Sequence, residues 1–228
     1  MKVDIYSDIA CPWCYIGKTR FERALAAFPG ASDVQVTFRP FQLDPSTPER
    51  SEPLYEHYDR KFGSGFRANH ERVTEIAQRE GLDFHLDIAR AVNTFTAHRL
   101  LWFAGQEYGR ETQTRLKNVL LAGYFTEGAD VGDQDTLVTL AERAGLDSKR
   151  TRDFLTSDKG ATEVRDELDE ARSLGVSAVP TFVFDDKYAV QGAQEASAFL
   201  QVLEQVAAEQ QASAGGTGEA CADGSCAV

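Results

Sequence analysis

From about residue 46 to about residue 174 the apolar side chains recur at helical spacing, and no stretch alternates as a strand would. Strand-like alternation is confined to the two ends. Val3 and Ile5 begin it, and Val34, Val36 and Phe38 repeat it before Pro40. Far downstream, Thr181-Phe182-Val183-Phe184 and Tyr188-Ala189-Val190 flank Asp185-Asp186-Lys187, which reads as a β-hairpin. Phe21, Leu25 and Phe28 lie at i, i+4 and i+7 between the first two strands and predict an amphipathic helix stopped by Pro29-Gly30. A strand, a helix and a strand in some forty residues form a βαβ unit, which starts a parallel sheet. The simplest assembly is one mixed α/β sheet built from residues 1–45 and 175–207, with residues 46–174 inserted as a helical domain.

Within the insertion, Asn93 or Thr94 is placed to cap one helix, Asp133 a second and Asp147 a third. A longer helix carrying Ala161, Val164, Leu168 and Ala171 ends at Gly175. A last helix with Phe199, Leu200, Leu203 and Val206 leads to a tail, residues 208–228, that holds no aromatic residue, Leu or Ile; its composition predicts mobility.

Composition excludes several functions. The 228 residues carry 36 acidic and 24 basic side chains, a formal charge of −12 that opposes binding to nucleic acid or to anionic lipid surfaces. No window approaches the roughly 18 consecutive apolar residues of a membrane span, and Met1-Lys2-Val3-Asp4-Ile5-Tyr6 enters a strand without a signal-peptide core. The expected location is therefore cytoplasmic.

Only four cysteines occur, in two close pairs: Cys11/Cys14 and Cys221/Cys226. In a reducing compartment such pairs point to redox chemistry or to metal binding rather than to structural disulfides. Cys11-Pro12-Trp13-Cys14 lies where a strand ends and a helix begins. Unpaired amides and the positive end of the helix dipole favour a thiolate at Cys11. Pro12 suits the first turn because it has no N–H to leave unused. Two intervening residues bring Cys14 within reach, and it is expected to be the more buried, resolving thiol. Pro180, immediately before a strand in Gly175-Val176-Ser177-Ala178-Val179-Pro180-Thr181, fits best with a cis peptide bond.

With these segments, and with Asn93-Thr94-Phe95-Thr96-Ala97-His98-Arg99, residues 1 to about 207 resemble the thioredoxin superfamily, specifically its DsbA-like branch of FrnE type. The resemblance implies a thioredoxin fold with an inserted all-helical domain. It also implies a thiol-disulfide oxidoreductase in which Cys11 attacks, Cys14 resolves, and Val179-Pro180 forms a cis-proline loop whose backbone pairs with substrate. Disulfide-containing proteins or small molecules would be the partners, with no cofactor beyond the dithiol and with glutathione as a candidate redox partner. Trp13 stands where periplasmic DsbA proteins have His, so a potential of about −200 to −270 mV is expected rather than DsbA's value of about −120 mV.

Two alternatives compete. Kappa-class glutathione transferases and 2-hydroxychromene-2-carboxylate isomerases resemble the same architecture, but use a Ser where this chain has Cys11. A zinc-binding module could instead use all four thiolates. The tail pair Cys221/Cys226 also reads as a second redox pair. Of the remaining residues, His98 is expected to be a buried, hydrogen-bonded histidine, and Trp13 a substrate contact. Phe41, Phe62, Phe66, Phe95, Trp102, Phe103, Tyr124 and Phe125 are expected in the core, with a few lining a groove above the cysteines.

Overall fold

A computed structural model describes residues 1–63 and 65–215. Cys221 and Cys226 lie outside the described residues. The chain opens with β1 (Lys2–Ser7), α1 (Pro12–Ala27) and β2 (Gln35–Pro40), and β1 pairs with β2 in parallel from Lys2–Gln35 to Ser7–Pro40. It returns to the same sheet through β5 (Thr181–Phe184) and β6 (Tyr188–Gln191), giving the strand order β2-β1-β5-β6. β5 runs antiparallel to β1, and β6 antiparallel to β5. The hairpin turn holds Asp185 and Asp186 at φ of 49° and 56°, left-handed values that Asp tolerates better than most residues.

Period-two alternation divides β1 between two faces. Val3 and Ile5 join Phe182, Phe184 and Phe21 in one buried cluster, completed by Phe199, Leu203 and Val206 of α9 (Ala196–Gly215). Phe21 packs between Phe182 and Phe199 with ring centroids 5.3 and 5.6 Å away. On the other face Tyr6 meets Ala171 and Val176.

Between β2 and β5 the chain forms β3 (Glu52–Pro53), α2 (Leu54–Phe62), α3 (Gly65–Arg79), β4 (Arg90–Ala91), α4 (Phe95–Tyr108), α5 (Arg110–Phe125), α6 (Gln134–Arg143), α7 (Ser148–Leu155) and α8 (Ala161–Ser173). The predicted caps at Asp133 and Asp147 are present, each carboxylate accepting a first-turn amide, from Thr136 and Arg150. Thr94 occupies the N-cap position of α4, but the amide of Phe95 is taken by the Asn93 side chain at 2.9 Å.

Two expectations need correction. The insertion is not purely helical, since β3 and β4 form a two-residue antiparallel ladder, too short to leave a periodicity in the sequence. The last helix continues to Gly215, past Ala208 where composition placed the start of the tail. The Ala, Glu and Gln residues after Val206 are strong helix formers and extend it without an apolar stripe.

Candidate active site

Ser7 ends β1, and the chain turns through Asp8-Ile9-Ala10 so that Cys11 becomes the N-cap of α1 and Pro12 its first residue. The Cys14 amide donates to the Cys11 carbonyl at 3.0 Å, closing the first turn around the pair. Both cysteines are free thiols. Exposure does not separate them as expected: Cys11 is 2% exposed and Cys14 1%. Their electrostatics differ instead. Burial, then the hydrogen bond to Cys11, pushes the Cys14 thiol well above the ordinary value. Cys14 therefore rests protonated beside its partner.

Charged groups surround the pair in the interior. Asp8, 2% exposed, accepts from the Ile9 amide at 2.7 Å and the Leu43 amide at 2.8 Å, and its Oδ1 lies 3.2 Å from His98 Nε2. Burial alone would raise this carboxyl, but His98 and the donated hydrogen bonds outweigh it and hold it below its usual range. Burial lowers His98 in turn, against the pull of Asp8, so a neutral imidazole faces an ionised carboxylate. The expectation of a buried, hydrogen-bonded His98 is met. Lys117, on α5, is 1% exposed, and among the described residues its Nζ has no hydrogen-bond partner. The ammonium sits 5.7 Å from the Phe38 ring centroid. Burial pushes Lys117 down to about 8, although Cys14, Asp8 and Cys11 each favour its charge.

The Val179-Pro180 peptide bond is cis. The Cys11 thiol points to the Val179 carbonyl, with Sγ 3.7 Å from the oxygen, which ties this loop to the nucleophile position. Pro180 also packs against α1. A Cβ on Gly17 would come within 2.8 Å of Pro180 Cγ and 3.2 Å of Ala193 Cα, so the close approach of helix and loop requires glycine. The strand that begins at Thr181 is thereby seated directly beside the cysteines.

The DSBA-like thioredoxin domain family matches residues 2–204. The chain belongs to that family. It is 40% identical to a probable DsbA oxidoreductase, SCO1869 of Streptomyces coelicolor, over 92% of this chain and 91% of that one, with a TM-score of 0.84. It is 29% identical to the uncharacterized protein YwbO of Bacillus subtilis, over 81% of this chain and 86% of that one. The cytosolic disulfide reductase DsbM from Pseudomonas aeruginosa, solved with GSH, shares the fold at 16% identity and a TM-score of 0.65, over 90% of this chain and 98% of that one. The DsbA-like thioredoxin fold with its helical insertion is thus shown. No described helix is long and apolar enough to cross a membrane.

In this DsbA-like chain the structure brings together Cys11, Cys14, Pro12, Trp13, Val179 and Pro180. Trp13 lies 41% exposed at the mouth of a cavity between the cysteine turn and α2–α3. Of the aromatic residues expected in the core, Phe103, Tyr124 and Phe125 are buried, but Phe62 is 59% exposed. Phe62 lines that cavity with Phe66, because it sits on the last turn of α2 where the helix face opens. The sequence reading missed Lys117. The signal was present, since Gln113, Lys117, Leu120 and Tyr124 recur on one face of α5 and a lysine on an apolar face is unusual.

Proposed function

We propose that the chain is a thiol-disulfide oxidoreductase of FrnE type working through Cys11 and Cys14, with residues 1–45 and 175–207 as its thioredoxin domain and 46–174 as its helical insertion. The observation that carries this reading is the free thiol pair on the first turn of α1, with Cys11 against the Val179 carbonyl and Cys14 held protonated behind it.

In the reducing direction the Cys11 thiolate attacks one sulfur of a substrate disulfide. A Cys11–substrate S–S bond forms as the substrate S–S bond breaks, and the first substrate thiolate leaves. Cys14 then gives up its proton and attacks the Cys11 sulfur, which releases the second substrate thiolate and leaves the Cys11–Cys14 disulfide. Two electrons have passed to the substrate. A small thiol such as glutathione, with which the DsbM neighbour was solved, is the proposed reductant that restores the dithiol. Buried Lys117 offers a positive charge to the Cys14 thiolate formed in the second step. Protein or small-molecule disulfides are the proposed substrates, in a reducing compartment.

The 2-hydroxychromene-2-carboxylate isomerase fold is also similar, at 18% identity and a TM-score of 0.62, but a Cys pair has no evident use in that reaction. Among the described residues no group of three His, Cys, Asp or Glu side chains could hold a metal ion. The test is trapping: Cys14→Ser should accumulate mixed disulfides with glutathione or substrate, and Cys11→Ser should accumulate none. Equal trapping by both variants would overturn the assigned roles.

A further inference from the structure

Beside the cysteine turn, between Pro12 and Trp13 on one side and α2 and α3 on the other, lies a cavity of about 550 Å³. That is within the size range of small-molecule sites, about 300–1,000 Å³. Its walls are aromatic. Tyr58 stacks on Phe66 at 4.2 Å between centroids, and Phe62 stacks on both, at 5.7 and 5.6 Å. The large apolar residues exposed in the described structure are Trp13, Leu43, Phe62, Ile88 and Leu174, and the first three all line this one cavity. Exposed apolar area is otherwise scattered, so its concentration beside the nucleophile marks a binding surface.

One polar group in the wall has an atom left unpaired among the described residues. His70 is 7% exposed and lines the cavity, with its ring 4.0 Å from that of Phe66; among the described residues nothing pairs with its Nδ1. Burial pushes His70 down to about 4, so the imidazole is neutral and presents one N–H and one lone pair. Buried polar atoms in folded proteins nearly always have partners, and an unpaired one in the wall of a cavity fits a ligand that supplies the missing hydrogen bond. The Lys61 ammonium at the rim is already engaged by Asp44, whereas Arg72, exposed on α3, lines the cavity with no ion-pair partner among the described residues.

We propose that this cavity seats an aromatic ring bearing a hydroxyl or carbonyl group, with His70 as its polar anchor, and so directs the dithiol toward small aromatic disulfides. The inference rests on the thiol-disulfide reading for its chemistry; the site itself rests on the cavity and on His70. The ring lies among Tyr58, Phe62 and Phe66, and its sulfur substituent leaves the cavity past Trp13 toward Cys11. The electron balance is that of the exchange already described, with one aryl thiolate leaving in each step.

The test uses the reduced full-length protein in single turnover with bis(4-hydroxyphenyl) disulfide and with bis(2-hydroxyethyl) disulfide. Each rate constant is divided by that of dithiothreitol with the same disulfide, which removes the leaving-group advantage of an aryl thiolate. The corrected preference for the aromatic compound is expected to be at least about tenfold. His70→Phe keeps a ring of similar size without the nitrogen and should lower that preference several-fold, whereas His70→Asn should recover part of it. Redox-inert 4-phenylphenol should bind the native protein in calorimetry. Binding should disappear in Asn69→Trp, a substitution at an exposed position on the cavity wall that fills the space even if the His70 variants fail to fold. A corrected preference near one, with no binding of 4-phenylphenol, overturns the proposal. Binding of the phenol by a protein that reacts with neither disulfide upholds the site and overturns the oxidoreductase reading instead.

Discussion

Lys117 gives a stability test that isolates one buried charge. Its ammonium is held at about 8 against an ordinary 10.5 because burial strips its water and, among the described residues, no hydrogen bond replaces it. The displacement of about 2.5 pH units, at about 1.36 kcal/mol each, makes the charged form cost about 3 kcal/mol in the folded protein. A lysine depressed in this way binds fewer protons folded than unfolded between pH 8 and 10.5, so its contribution to stability rises with pH across that window and is least favourable below it. Lys117→Met keeps the length and apolar bulk of the side chain and removes the charge. Allowing about 0.5–1 kcal/mol for the lost contact with the Phe38 ring, the variant should be more stable than the native chain at pH 7 by about 2 kcal/mol. That difference should shrink by about 2 kcal/mol by pH 9.5. Urea unfolding of both proteins at matched pH measures it, and subtracting one from the other cancels the opposing titrations of the buried tyrosines. The same variant should resolve mixed disulfides more slowly, since Cys14 loses the nearby cation. A native protein more stable than Lys117→Met at pH 7, or a difference that does not change with pH, would refute the reasoning.

Three further outcomes are expected. Gly17→Ala drives a methyl group to within 2.8 Å of Pro180 Cγ and should destabilise by about 1–3 kcal/mol in urea titrations, with slower disulfide exchange because the Val179 loop moves from Cys11. Asp8→Asn removes a buried carboxylate that faces His98 and two backbone amides, and should cost about 3 kcal/mol at neutral pH. Because the folded carboxyl is held below its ordinary 3.8, this stabilisation is complete above that value and is lost as the pH falls beneath it, so the two chains should converge in acid. Finally, equilibration of the Cys11–Cys14 pair in glutathione buffers should give a midpoint of about −200 to −270 mV; a value at or above about −120 mV would contradict the reading of Trp13.

Much of the fold could be read from local pattern. The period-two runs at residues 3–5, 34–38 and 181–190, and the caps at Asp133 and Asp147, are short-range signals. Each records a choice the backbone makes within a few residues. The Cys-Pro-Trp-Cys turn and Pro180 belong to the same class, since the need for a helix start or a turn before a strand is written in adjacent residues. The β3–β4 ladder was invisible because two residues carry no period, and the extension of α9 because Ala, Gln and Glu form helix without an apolar stripe to announce it.

The sequence alone determined that strands at the two ends of the chain enclose a long helical segment and that two thiols sit on the first turn of a helix. It could not determine what those thiols face. Val179 and Cys11 are 168 positions apart, Asp8 and His98 are 90 apart, and Lys117 enters from a helix of the insertion. Burial is a property of the assembled molecule. Only when α5 closes over the sheet does Lys117 lose its water and Cys14 become hard to ionise, and only when α2 packs on α3 does His70 enter an aromatic wall with Tyr55, Tyr58 and Phe66. Local propensity placed the nucleophile, and the tertiary packing around it set its electrostatics and the shape of the space before it.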